Sequence, residues 1–196
     1  MKTGFQKRIY TFKTFVNDIG FLAANMPRAV AMSRNEKISK AFIEKVMTVV
    51  TTVNGCVYCS WFHAHQAVAS GLTEAEVNNL FNLQFETDAS EFELPALLYA
   101  QHYAETNRNP QPEMNEKLQA FYGKDTAAQI VLIIRMIYFG NLSGNTWDAI
   151  LSRMRGTPAP NSNVLFEAFF FLITWYAMIP TMWLSRDYRR NQQVTT

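Results

Sequence analysis

The chain has 196 residues, of which 48% are hydrophobic and 17% are charged, a composition that suits a globular protein and excludes an intrinsically disordered one. Its 18 basic and 16 acidic residues leave a net charge of +2, which creates no strong field for nucleic acid. We therefore expect one domain, or one domain with an added arm, that binds neither DNA nor RNA.

The predicted secondary structure is entirely helical. Apolar residues recur at spacings of three and four, and no hairpin signal is present. Pro27 should end the first helix, because the residue before a proline disfavours the helical conformation. Thr73 and Glu76 form a capping-box pattern that opens the fourth helix, and Lys45 interrupts the apolar stripe of the second. In chain order, we predict helices at 12–25, 36–53, 56–70 (ending at Gly71), from 73 onward, and at 94–106, 112–122 and 126–152.

A segment rich in Pro, Gly and Asn near the C-terminus is typical of a linker. We predict a helical domain at 1–155 with its core motif at 36–80, a linker at 156–163, and a hydrophobic helix with a polar tail at 164–196. Residues 168–184 hold no charge but fall short of the roughly 20 apolar residues of a membrane span, and they contain Pro180. We favour a helix packed on the core or on another subunit over membrane contact.

The expected compartment and the spacing of the cysteines both indicate that the thiols react locally and do not form a structural disulfide framework. No signal peptide is evident in the first residues, which predicts a cytoplasmic protein. The chain has only two cysteines, Cys56 and Cys59, and they lie three residues apart. This spacing is wrong for a secreted disulfide framework and typical of a redox or metal-binding pair.

Cys56, Cys59 and His63 follow one another at i, i+3 and i+7 and so share one face of a helix. If the helix begins at Cys56, its dipole favours the thiolate there. A second thiol one turn away can close a disulfide with an oxidised first thiol, and His63 can relay a proton. The pair alone is a weak signal, because the two thiols with His63 or His65 could instead hold zinc, or could be incidental.

The string from Asn54 to His63, followed by Gly71-Leu72 and Thr73-x-x-Glu76, resembles the core motif of the AhpD-like members of the carboxymuconolactone decarboxylase superfamily. That family also places a glutamate twelve residues before the first cysteine, and Glu44 stands there. The resemblance covers 36–80 well, and 94–100 and 141–148 more loosely. The best-known member has a histidine between its cysteines, where this chain has Tyr58.

The resemblance implies an all-α, AhpD-like helical bundle with the cysteine pair at the N-terminus of a central helix, assembled as a homotrimer or homohexamer. It implies a thiol-dependent hydroperoxide reductase or disulfide oxidoreductase, with Cys56, Cys59, His63 and Glu44 as catalytic residues. Cys59 would attack the peroxide and Cys56 would resolve, although the helix dipole favours Cys56 as the more acidic thiol. Decarboxylase members lack the cysteine pair, so we expect thiol chemistry.

We expect no bound cofactor and no metal. The chain has no nucleotide-binding glycine motif, so a thiol or dithiol reductant protein should restore the reduced pair after each turnover. Two alternatives remain open. One is a zinc-binding sensor that uses the same thiols with His63, and the other is a non-catalytic oligomeric scaffold. Glu44 argues against both, because neither needs a carboxylate at that spacing.

Overall fold

The computed structural model describes residues 5–32 and 38–188, and these residues form helices and loops with no β-strand. The all-α prediction is therefore confirmed for the described part of the chain. The helices are α1 (Phe12–Met32), α2 (Lys40–Asn54), α3 (Val57–Ala69), α4 (Glu74–Phe81), α5 (Leu94–Glu105), α6 (Pro112–Tyr122), α7 (Lys124–Met154) and α8 (Val164–Leu184).

The prediction that the first helix ends before Pro27 is wrong. α1 continues through Pro27 to Met32. A proline inside a helix removes one N–H donor, here the partner of the Ala23 carbonyl four residues earlier. Ala23 lies on the exposed side of α1, so water can satisfy that carbonyl. The Asn25 side chain adds a hydrogen bond of 2.9 Å from its amide Nδ2 to the Phe21 carbonyl.

The second helix begins later than predicted. Ser39 is its N-cap, and its hydroxyl accepts a hydrogen bond from the Phe42 backbone N–H at 3.1 Å. The predicted start at Glu36 lies outside the described residues, as does the polar tail at 189–196. Serine is a favoured N-cap because its side chain satisfies a backbone donor that the first turn leaves open.

The other helix predictions agree with the structure to within two residues. The capping box is present: the Glu76 N–H donates to Thr73 Oγ1, and the Thr73 N–H donates to Glu76 Oε2 at 2.8 Å. Residues 155–163 join α7 to α8 without a helix. The division of the chain at 155 and 163 into domain, linker and C-terminal helix stays a prediction.

Helices α2 and α7 lie at the centre of the described bundle. α2 packs against α3, α4, α5 and α7, and α7 also packs against α1, α6 and α8. Both helices contribute fully buried aliphatic side chains to the core, among them Val46 and Val49 from α2 and Ile133 and Ile134 from α7. Lys45 reaches the core boundary and forms an ion pair of 2.9 Å with Glu93, which explains a lysine on an apolar stripe.

A buried carboxylate joins α1 to the rest of the bundle. Asp18 is 5% exposed, and its oxygens contact Arg108 at 2.7 Å and Arg135 at 3.3 Å. The Tyr10 hydroxyl donates to the same carboxylate at 2.6 Å. The Arg108 guanidinium also lies 4.3 Å from the centre of the Tyr138 ring. Removing one partner of a buried ion pair leaves an uncompensated buried charge, so Asp18 and the two arginines stabilise the fold only when they are all present.

Helix α8 contacts the bundle along one edge. Phe166, Glu167 and Phe170 are buried, and Phe171 stacks on Trp147 with ring centres 5.1 Å apart. By length and composition, α7 and α8 are both apolar enough to cross a membrane. Two such helices are weak evidence of a membrane protein, and α7 is a core helix whose most apolar window is 56% buried. α8 is much more exposed, because only 17% of its most apolar window is buried.

Replacing Asp18 with alanine should lower the free energy of unfolding by about 3 kcal/mol, because two guanidinium groups lose their carboxylate. Urea denaturation measures the change. Glu116→Ala, an exposed acidic position on α6, is the control and should change stability by less than about 0.5 kcal/mol. Equal effects of the two substitutions would show that the Asp18 ion pairs add nothing to stability.

Candidate functional site

The turn between α2 and α3 places the first cysteine at a helix N-terminus. Gly55 ends α2 in the left-handed conformation, with φ of 65°, which glycine adopts without strain. Cys56 then serves as the N-cap of α3, and its Sγ accepts a hydrogen bond from the Cys59 backbone N–H at 3.3 Å. Cys59 lies in the first turn, so both thiols lie at the positive end of the helix dipole.

Helix α7 passes very close to the thiols at Gly144. A Cβ atom at this position would lie 2.6 Å from Cys56 Sγ and 3.1 Å from Cδ2 of Tyr58. It would also lie 4.0 Å from Cys59 Sγ. Only glycine lets the backbone of α7 approach this closely, and the approach excludes water from Cys56, which is completely buried.

The two thiols have opposite pKa shifts. Burial raises the pKa of Cys56 well above its usual value, and the hydrogen bond with Cys59 adds to the effect. The pKa of Cys59 is lowered, mainly by the hydrogen bond from the Cys56 thiol and further by the Asn141 side chain, against the effect of burial. The helix-dipole argument for Cys56 as the more acidic thiol is therefore outweighed by its burial, and Cys59 is the thiol that ionises first.

Glu44 and His63 form a buried pair beside the thiols. The distance from His63 Nδ1 to Glu44 Oε2 is 2.7 Å, and each residue is 7% exposed. A carboxylate hydrogen-bonded to Nδ1 fixes the orientation of the imidazole ring and leaves Nε2 as the other ring nitrogen for proton exchange. His63 lies one turn after Cys59 on α3, as the sequence spacing indicated. The catalytic roles of these residues stay a prediction.

Tyr58, which lies between the two cysteines, forms a hydrogen bond with a second carboxylate near the thiols, that of Asp148. Its hydroxyl donates to Asp148 Oδ1 at 2.7 Å, and Lys7 forms an ion pair with Asp148 Oδ2 at 2.6 Å. The Asp148 charge raises the pKa of both cysteines. Because Lys7 neutralises part of that charge, the N-terminal segment contributes to the electrostatics of the thiol pair.

Hydrogen bonds of asparagine side chains join the C-terminal end of α2 to α7. The Asn141 Nδ2 donates to Thr51 Oγ1 at 3.0 Å, and the Asn54 Nδ2 donates to Asn141 Oδ1 at 3.2 Å. The Asn145 Nδ2 donates to the Asn54 carbonyl at 2.9 Å. These bonds hold α7 against the residues that lead directly into the cysteine turn.

Sequence reasoning named the thiols, Glu44 and His63, but it gave no role to the α7 residues that enclose them. The available signal was a stripe of small and polar residues on an otherwise apolar helix: Asn141, Gly144, Asn145 and Asp148. Of the remaining histidines, His65 is exposed, with Nδ1 2.7 Å from the Trp61 carbonyl, and His102 Nε2 accepts from the Gln111 N–H. In residues 5–32 and 38–188, no three His, Cys, Asp or Glu side chains form a metal-binding cluster.

A groove of about 950 Å³ lies on the neighbouring side of α3. Ser60, Ala64 and Val68 line it from α3, and Val77 and Phe81 line it from α4. Neither cysteine nor His63 is among its lining residues. The groove and the thiol pair are therefore separate features of the same helix.

Gly144→Ala should destabilise the protein by about 1–3 kcal/mol, because the new methyl group collides with the Cys56 sulfur in a closed space. Gly140→Ala, one turn earlier on α7, is the matched control. Its methyl group would meet only Ile137 Cδ1, at 3.9 Å, so helix propensity should leave stability equal or up to about 1 kcal/mol higher. Denaturant unfolding compares the variants, and a neutral Gly144→Ala would contradict the close approach.

Asp148→Asn should lower the pKa of Cys59 further, because it removes a negative charge and keeps an acceptor for Tyr58. The pH dependence of iodoacetamide alkylation reports this pKa, and its midpoint should move to lower pH. Asp125→Asn, at an exposed position in the first turn of the same helix, should leave the midpoint unchanged. An upward shift in Asp148→Asn would refute the charge effect.

The family model described as the carboxymuconolactone decarboxylase family matches residues 21–102. The match begins before the predicted core at 36 and includes Glu44, both cysteines and His63. It ends before α7, so the looser resemblance at 141–148 stays a prediction. Comparison with curated proteins and with solved structures gives no match. Over residues 21–102, the chain is therefore similar to the carboxymuconolactone decarboxylase family, the superfamily of the AhpD-like proteins.

Proposed function

We propose that the protein is a thiol-dependent oxidoreductase that reduces hydroperoxides or disulfides through Cys59 and Cys56. One observation carries the proposal: an acidified thiol and a buried, protonated thiol are hydrogen-bonded at a helix N-terminus. The Glu44–His63 pair on the adjoining turn supplies a proton acceptor and donor. The match to the carboxymuconolactone decarboxylase family over residues 21–102 is consistent with this chemistry, and that family includes enzymes of more than one kind.

In the first step, the Cys59 proton passes to His63, and Glu44 stabilises the resulting imidazolium. The Cys59 thiolate attacks the terminal oxygen of a hydroperoxide, so that an S–O bond forms and the O–O bond breaks. The leaving alkoxide takes a proton from His63 and departs as an alcohol. Cys59 is oxidised by two electrons to a sulfenic acid, and the hydroperoxide is reduced by the same two electrons.

In the second step, the Cys56 sulfur attacks the Cys59 sulfur. An S–S bond forms, the S–O bond breaks, and the hydroxide leaves with the Cys56 proton as water. A high pKa suits Cys56 to this role, because a protonated thiol donates a hydrogen bond to the Cys59 thiolate until the sulfenic acid forms. A disulfide substrate would follow the same order, with a mixed disulfide at Cys59 in place of the sulfenic acid.

An external thiol or dithiol protein completes the cycle by reducing the Cys56–Cys59 disulfide. Cys59 is the partly exposed cysteine of the pair, so the incoming thiolate attacks its sulfur and releases Cys56. The reductant is oxidised by two electrons in the exchange. This accounts for a redox site without a nucleotide or metal in its mechanism.

The test is a thiol titration of the purified protein before and after one equivalent of an organic hydroperoxide. We expect both thiols to be lost together, and either Cys56→Ser or Cys59→Ser to prevent disulfide formation. His63→Ala should slow the reaction by about 100-fold, the usual size of a general acid–base contribution. His65→Ala, which changes an exposed histidine on the same helix, should leave the rate unchanged.

Thiols that stay reduced with both a hydroperoxide and a small disulfide would overturn the proposal. Stoichiometric zinc in the same preparation would favour the metal-binding alternative, whereas unreactive thiols in metal-free protein would leave a scaffold. If Cys56→Ser accumulates a sulfenic acid and Cys59→Ser does not, Cys59 is the attacking thiol. The reverse pattern would exchange the roles of the two cysteines without removing the activity.

A further inference from the structure

We propose that the exposed apolar face of α8 lies in the interface of a phospholipid bilayer that contains anionic lipids, while the rest of the bundle stays in water. This interaction is separate from the thiol chemistry, because no residue of α8 belongs to the candidate site. Four properties of α8 favour lipid as the occupant of its face: the width of the apolar arc, the attachment of the helix to the bundle, its polar atoms, and the charges near its ends.

The apolar surface of α8 is too wide to be covered by one neighbouring helix. Eleven large apolar side chains of α8 are between 38% and 78% exposed. At about 100° per residue they occupy an arc of roughly 220° around the helix axis, whereas packing against one neighbour needs an apolar stripe of about 100°. They expose on the order of 1,000 Å², and the largest apolar patch of a soluble monomer is usually about 300–600 Å². The eleven side chains are those of Val164, Leu165, Phe169, Phe171, Leu172, Ile173, Trp175, Tyr176, Ile179, Trp183 and Leu184.

The covered edge of α8 runs along the whole helix and fixes it against the bundle. Phe166 and Phe170 are buried near its start, and Met178 and Met182 pack against the core near its end. Trp147 on α7 donates its ring N–H to the Met182 sulfur. α8 is long and apolar enough to cross a membrane, but it would lose this edge contact in order to span the hydrocarbon. The attachment therefore favours a helix that lies in the plane of the bilayer surface.

The hydroxyl groups of α8 are already satisfied by its own backbone. Thr174 Oγ1 donates to the Phe170 carbonyl at 2.7 Å, and Thr181 Oγ1 donates to the Ala177 carbonyl at 2.8 Å. In lipid, a polar group must find its partner within the protein, because no water is there to supply one. Neither threonine therefore opposes the transfer of α8 from water to an apolar medium.

Aromatic side chains with a polar tip lie on the exposed side of the second half of α8. Trp175, Tyr176 and Trp183 are 49%, 66% and 72% exposed. Tryptophan and tyrosine are enriched at the level of the lipid headgroups, where the ring contacts apolar chains and the N–H or O–H reaches water. Pro180, in the same half, has no N–H to donate to the Tyr176 carbonyl, which therefore also needs water within reach. Both features suit the headgroup level better than the centre of the hydrocarbon.

The acidic groups of the two helices at this face are buried, and a basic residue lies near the start of α8. Asp18 on α1 and Glu167 on α8 both form ion pairs within the bundle. Lys13 is exposed and follows Phe12, whose ring lies 6.2 Å from the ring of Phe169. The first turn of α8 therefore has a basic neighbour and no exposed carboxylate of α1 or α8.

The other end of α8 is also basic. Arg186 is exposed two residues after the end of the helix. Asp187 follows it, and the sequence continues with Arg189 and Arg190. An apolar face with basic residues near both ends complements a bilayer whose headgroups are anionic, because the apolar chains and the headgroup charges are then both matched.

The test is co-sedimentation of the purified full chain with lipid vesicles. We expect binding to vesicles of phosphatidylcholine mixed with phosphatidylglycerol, and weaker binding to phosphatidylcholine alone. Leu172→Ser, at a position that is 69% exposed, should lower the partition coefficient by about tenfold, because a leucine side chain no longer leaves water. Phe121→Ser, which removes an exposed aromatic ring on α6, should leave binding unchanged. Equal losses in the two variants would contradict a specific role of α8.

The contribution of charge is tested with neutral variants at the two ends of the face. Lys13→Gln and Arg186→Gln should each weaken binding to the mixed vesicles by about fivefold, the usual effect of one basic residue at an anionic surface, and should not change binding to phosphatidylcholine. Lys117→Gln removes the same charge from an exposed position on α6 and is the matched control. If it weakens binding as much as the other two, the docking of this face is refuted.

A measurement on the unaltered protein applies even if a variant misfolds. Vesicle binding should shift the tryptophan emission to shorter wavelength, because Trp183 is 72% exposed in water. Bromine atoms on the acyl chains close to the headgroup should quench this emission more than bromine atoms at the chain ends. Stronger quenching by the deep bromines would contradict an in-plane helix. A protein that stays in solution with both kinds of vesicle, whether as a monomer or as an oligomer that covers α8, overturns the proposal.

Discussion

The close approach of α7 to the first turn of α3 is the constraint on which the candidate site depends. Gly144 leaves no room for a side chain beside Cys56, and the amides of Asn54 and Asn141 hold the two segments together. This contact removes Cys56 from water, while Cys59 stays partly exposed. Two chemically identical side chains three residues apart thereby acquire opposite pKa shifts.

The asymmetry between the thiols shows how burial can outweigh a helix dipole. At a helix N-terminus the partial positive charge of the helix dipole stabilises both thiolates. The effect is limited, because that charge is only a fraction of an elementary charge. Desolvation works against the charged form of both thiols, but it dominates at Cys56, whereas at Cys59 the hydrogen bond from Cys56 outweighs it. Asp148, which contacts Tyr58 and Lys7, adds a negative charge near both sulfurs. The acidity of the thiols therefore depends on α3, on α7 and on the N-terminal segment, and not on the cysteine motif alone.

The two sides of the bundle differ in how much of their apolar surface is covered. On one side, the α2–α7 core and the Asp18 ion pairs stabilise the bundle through contacts within the chain. On the other side, α8 adds little to that core and keeps most of its apolar surface exposed. A helix that is apolar all round is normally buried, and α8 departs from this pattern.

The sequence by itself determined the helical class, the order of the helices, and the placement of Cys56, Cys59, His63 and Glu44, because helix period and cap chemistry are local properties of the chain. It also indicated the Thr73–Glu76 cap and the non-helical segment before α8. It could not decide the passage of α1 through Pro27, which depends on a surface carbonyl that water can reach. Nor could it place Gly144 against Cys56, pair Lys45 with Glu93, or rank the acidity of the two thiols. Those outcomes depend on residues 48 or more positions apart in the chain, whose desolvation and charge act only once the helices have packed.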